Sequence, residues 1–170
     1  MENNNTTIPK PLSEINPHPS LRFWAGILTI SIDQLNPTPS QNTISLSTLT
    51  QILPFYSPYT HIIKIGIRPA IPHEIPDEIY RTHIANIKLI VQQINEFQKL
   101  KEVHMRVLVN QCNFPQLKMG ASLYGLSGVE WSFGYVEGEK VRGRGIAPVV
   151  ISPVDGVMGR LVGVFEREFR

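Results

Sequence analysis

The sequence predicts a two-layer α/β fold: a mostly parallel sheet of four or five strands with helices on one face only. Three observations carry that expectation. Segments rich in β-branched and aromatic residues take turns along the chain with segments of helical periodicity. Strands joined through helices are usually parallel, with right-handed crossovers. The central strands alternate apolar with polar residues, whereas a parallel sheet roofed on both sides reads as nearly continuous apolar runs. One sheet face is therefore expected to be wet.

Residues 1–20 carry Pro9, Pro11, Pro17 and Pro19 and the run Asn3, Asn4, Asn5. Proline withholds backbone donors and nothing here is periodic, so a flexible arm is expected, with Leu12 and Ile15 able to dock it. Residues 21–170 read as a single domain. Within it, RFWAGILTISI (22–32) reads as the first strand, with Trp24, Leu28, Ile30 and Ile32 of one parity and Ile27 and Thr29 of the other. The stretch NPTPSQN then breaks the chain.

SLSTLTQIL (45–53) puts Leu46, Leu49, Ile52 and Leu53 at helical spacing, with Ser45 to cap the helix and Pro54 to stop it. The second strand, in THIIKIGIRP, points Ile63, Ile65 and Ile67 one way and Ile62, Lys64, Gly66 and Arg68 the other. Pro69, Pro72 and Pro76 form a stiff connector. A long helix follows over 77–97, its inner stripe Tyr80, Ile84, Ile87, Val91, Ile94 and Phe97. Asp77 and Glu78 suit the positive end of its dipole.

The third strand, EVHMRVLVNQ, sets Val103, Met105, Val107 and Val109 against His104, Arg106, Leu108 and Asn110. NFPQLKMGASLYGL reads as a helix with Leu117, Ala121 and Tyr124 inward and Gly120 allowing close approach. In the fourth strand, Val129, Trp131, Phe133 and Tyr135 alternate with Glu130, Ser132 and Gly134. PVVIS suggests a short further strand. The tail reads as a helix with Met158, Leu161, Val162, Phe165 and Phe169 on one face; a strand is the alternative, since Gly156, Gly159 and Gly163 each cost a helix about 1 kcal/mol. Strand starts fall at unequal intervals, so the unit is an irregular βα repeat, similar to a short piece of a leucine-rich-repeat horseshoe without its consensus, or an open-faced sandwich.

NFPQLKMGASLYGLSGVEWSFGY, with HIIKIGIRP and the amphipathic helix between them, resembles uncharacterised α/β proteins of filamentous fungi, some of them similar to the irregular repeat regions of F-box-associated proteins. The resemblance covers about residues 20–140. It carries over no catalytic residue. No F-box segment is present, so a ubiquitin-ligase role is not implied.

Charge narrows the partners. Sixteen cations and 14 anions give a net +2 over 170 residues, which announces neither a nucleic-acid nor a membrane partner. Cys112 is the only cysteine, so no internal disulfide forms and a reducing compartment is expected, cytoplasmic or nuclear. No apolar run approaches the ~20 residues of a membrane helix.

Candidate binding residues fall in two places. The open sheet face is expected to show Lys64, Arg68, His104, Arg106, Glu130 and Ser132, with Arg68 and Arg106 offering charge-assisted hydrogen bonds. A loop with Lys140, Arg142 and Arg144 between glycines would rim it. That loop lacks the Gly-Lys-Ser/Thr of a phosphate-binding turn. HEIPD (73–77) lacks the second histidine of a zinc-protease helix.

The expectation is a non-enzymatic intracellular module that binds a protein partner through this basic face, with self-association through a sheet edge or the last helix as a second use. Single-stranded RNA on the same face is the alternative, which would gain if the aromatics Trp131, Phe133 and Tyr135 pointed outward. A third reading, a small hydrolase, would use Cys112, activated at a helix start. No cofactor or metal is expected.

Overall fold

In the computed structural model, which describes residues 12–16, 18–35, 43–109, 114–137, 149–150 and 156–170, six strands lie side by side in chain order. They are β1 (Leu21–Trp24), β2 (Ile27–Asp33), β3 (Ile62–Arg68), β4 (Glu102–Val109), β5 (Glu130–Glu137) and β6 (Val149–Val150). β2 to β5 run parallel, while β1 and β6 flank them antiparallel. The architecture is the expected two-layer α/β arrangement, with a sheet wider than the four or five strands expected.

The extra strand comes from residues 22–32, which read as one segment and form a hairpin. Ala25 and Gly26 both take positive φ, 49° and 79°, giving the two-residue turn that matches strand twist. The turn reverses side-chain parity. Phe23 pairs with Leu28 and Trp24 with Ile27. Trp24, expected inward with Leu28, therefore points to the other face and is 78% exposed. Phe23 takes the inward place and meets the Tyr56 ring at 5.6 Å.

Helices α1 (Thr43–Tyr56), α2 (Asp77–Asn95) and α3 (Phe114–Leu117) fall in the crossovers between successive parallel strands, and α4 (Gly156–Val164) follows β6. They pack on one face, where Leu28, Ile30, Ile63, Ile67, Met105 and Phe133 are buried in the core they share with Leu53, Ile87, Leu117 and Leu161. Each such large side chain contributes about 1.5–3 kcal/mol of burial. Trp131 and Tyr135 are partly buried against the same core. The alternation in β3, β4 and β5 thus means what the sequence suggests.

Three helical details differ from expectation. α1 passes through Pro54 and ends at Tyr56 rather than stopping at Leu53. Proline near a helix end forfeits one backbone bond, and burial of the Tyr56 ring favours continuation. After α3 the chain tightens into a 3-10 segment, Lys118–Gly125, whose residues Met119 to Leu123 are all buried. Last, α4 widens into a π-helical turn, Phe165–Phe169. Its five-residue step carries burial from Val164 to Phe169; ahead of it, burial falls on Met158, Leu161 and Val164, and Val162, expected inward, is 42% exposed.

Part of the N-terminal arm is described. Leu12 packs against the core, and His18 and Ser20 are buried. The Ser20 carbonyl accepts the Ser31 N–H at 2.8 Å. Among the described residues, no helix is long and apolar enough to cross a membrane.

Candidate interaction face

The parallel register assembles the uncovered face row by row. Paired residues on neighbouring strands share a face and stand about 4.8 Å apart. One row runs Arg22, Thr29, Lys64, His104, Ser132. The next runs Ser31, Gly66, Arg106, Gly134. On the other side of the first lies Trp24, Ile27, Ile62, Glu102, Glu130. Asp33 and Arg68 pair at the far end of β2 and β3.

Lys64, Arg68, His104 and Arg106 thus come together on one surface, as the alternation predicts. Their partners differ. Arg68 Nη1 is 3.6 Å from Asp33 Oδ2, a loose and partly exposed pair worth about 0–1 kcal/mol. His104 is engaged at both nitrogens: Nδ1 lies 2.7 Å from Ser132 Oγ and Nε2 lies 3.0 Å from Glu102 Oε2. Lys64, Arg106 and Arg22 are exposed and have no carboxylate within ion-pair distance among the described residues. Gly66 and Gly134 flank Arg106, so no side chain walls in its guanidinium from the adjacent strands.

The face is therefore mixed in charge rather than simply basic. Asp33 and Glu102 take up Arg68 and His104, while Arg22, Lys64 and Arg106 remain available to a visitor. A serine, histidine and carboxylate in series can prime a nucleophile. Acyl transfer also needs a water-excluded enclosure with preorganised donors. His104 and Glu102 are 36% and 43% exposed, so this series stands open to water.

Lys140, Arg142 and Arg144 lie outside the described residues, as does Cys112. Trp131, Phe133 and Tyr135 belong to the helix-covered side, so they offer no platform for stacked bases. The residues missed by sequence reasoning are Trp24 and Arg22. Their signal was the Ala25–Gly26 pair inside an otherwise continuous strand pattern, since an isolated glycine there marks a turn or bulge. Among the described residues, no three His, Cys, Asp or Glu side chains cluster as metal ligands. No family model, curated protein or solved structure matches this chain.

Proposed function

We propose that the protein is a non-enzymatic interaction module whose uncovered sheet face binds an acidic protein surface. The observation that carries this reading is the position of Trp24, 78% exposed and on the same face as the unpaired cations Arg22, Lys64 and Arg106. Exposed tryptophan beside arginine is the composition of binding hot spots. The unpaired cations ask for carboxylates, and Arg68 and His104 would add charge-assisted hydrogen bonds at the margins.

Size indicates the kind of complex. Six strands at ~4.8 Å spacing and about 20 Å in length give a footprint of roughly 500 Å². That is below the ~800 Å² per partner of a standard stable interface, so a transient complex fits best. The edges suggest no large sheet extension, because β1 has 4 residues and β6 has 2.

The test is a cross-linked pull-down from native cell extract, using the intact chain, Lys64→Glu/Arg106→Glu and Trp24→Ala. A control reversal, Lys99→Glu, leaves the face untouched. Partners lost with both face variants and kept with the control support the reading; equal recovery from all four overturns it. Trp24 also favours a second reading, single-stranded RNA, because an exposed indole can stack a base. Filter binding at two salt concentrations separates the two, since RNA held by Arg22, Lys64 and Arg106 would dissociate steeply with salt.

A further inference from the structure

The helix layer contains a cleft that plays no part in the sheet face. It lies between α2 and the π-helical turn and encloses about 590 Å³, within the ~300–1,000 Å³ range of small-molecule sites. We propose that this cleft binds a small amphiphilic anion, with a carboxylate or phosphate head and a short apolar body.

Charge argues for the head group. Arg81, Lys88 and Arg167 line the cleft. Arg81 and Arg167 are exposed and have no ion-pair partner among the described residues. Lys88 Nζ donates to the backbone oxygen of Arg170 at 2.6 Å. Of the two carboxylates in the lining, Glu168 is already engaged: it accepts the Tyr80 hydroxyl at 3.0 Å and pairs with Lys118 Nζ at 3.1 Å. Asp77 alone is left against two free guanidiniums, so the cleft keeps a cationic surplus.

The lining also argues for the apolar body. Ile84 is buried, and with Ala85 and the Tyr80 ring it gives the cleft a greasy wall. Tyr80 is held well above the ordinary tyrosine range, by burial first and then by the Glu168 charge, which fits a poorly hydrated wall. The clamp of Tyr80, Glu168 and Lys118 ties α2, the π-helical turn and the 3-10 segment together, so the cleft is preformed. A π-helical turn is an uncommon device that recurs at functional sites, and this one carries both Arg167 and Glu168.

Isothermal titration of the full chain with octanoate, octyl phosphate, inorganic phosphate and 1-octanol tests the proposal. Either octyl anion is expected to bind saturably, and the tighter of the two identifies the preferred head. Arg81→Glu and Arg167→Glu are each expected to weaken that binding at least about tenfold. Ala85→Trp, at an exposed position, should abolish it by filling the cleft with every charge intact. Circular dichroism checks that each variant is folded, and Lys64→Glu/Arg106→Glu should bind like wild type, which keeps this result separate from the sheet face. The proposal is overturned if 1-octanol binds as tightly as the anions, if inorganic phosphate does, if none of the four binds at millimolar concentration, or if the cleft variants bind unchanged.

Discussion

Gly120 lies flat against the ring of Phe133: a Cβ built on it would stand 2.8 Å from Phe133 Cδ2 and closer still to Cε2 and Cζ. The 3-10 segment reaches β5 by having no side chain at this point. Gly120→Ala is expected to destabilise by about 1–3 kcal/mol, the range for overpacking. Phe133→Leu should recover part of that loss in the double variant. Urea unfolding of the four proteins gives the coupling, and strictly additive losses would contradict the contact.

The hairpin turn stores a smaller strain. Ala25 holds φ 49°, a left-handed conformation that costs a non-glycine residue about 1 kcal/mol or more. Ala25→Asn would create the Asn-Gly pair this turn prefers. A gain of about 0.5–1 kcal/mol is expected, visible as a Tm rise of roughly 2–4 °C per kcal/mol at this size. A lower Tm would show that the turn does not exist as described.

His83, on α2, has a buried Nδ1 with no hydrogen-bond partner, and burial holds its pKa below the ordinary 6.5. Well above 6.5 the ring is neutral in both folded and unfolded chains, so pH has no effect through it. As pH falls below 6.5 the unfolded chain takes up the proton first. Stability then declines until pH has passed the lowered folded value. His83→Leu should reduce this slope, read as urea midpoints at about pH 7.5 and about pH 5.5. An unchanged slope would remove His83 as its source.

The two tryptophans should report opposite environments. Trp24 is 78% exposed, while Trp131 packs edge-on to Tyr124 at 5.2 Å. Trp24→Phe is expected to shift emission to the blue and to remove most iodide quenching, with little change in stability. Retained quenching would place Trp131 in solvent and invert the two faces.

The parts of the fold legible in sequence are those where one physical rule acts alone. In β3, β4 and β5 the even-odd pattern of Ile63, Met105 and Phe133 against Lys64, His104 and Ser132 is set by burial on one side, and the candidate face follows from it. The stripe on α2 is equally direct. Illegible features involve a local exception sustained by packing. Ala25 adopts a conformation that alanine disfavours, so Gly26 is left as the sole turn signal inside a continuous apolar run, and Trp24 is assigned to the wrong side. Pro54 breaks helices in general, yet burial of Tyr56 carries α1 past it. Val162 is exposed and Val164 buried because burial on α4 steps by threes from Met158 through Leu161, and two identical side chains give no sign of which one turns inward. The cleft between α2 and the π-helical turn was hidden because nothing in the residue types reveals the wider turn.

The strands lie across the sheet in the order in which they occur along the chain. A ribosome would thus release each parallel strand next to a neighbour already made. β2, α1 and β3 can join while later segments are still being translated, and no slot has to stay vacant for a strand yet to emerge. Nascent chains arrested beyond β3 should accordingly resist protease up to that point, each further βα unit extending the protected region by one step.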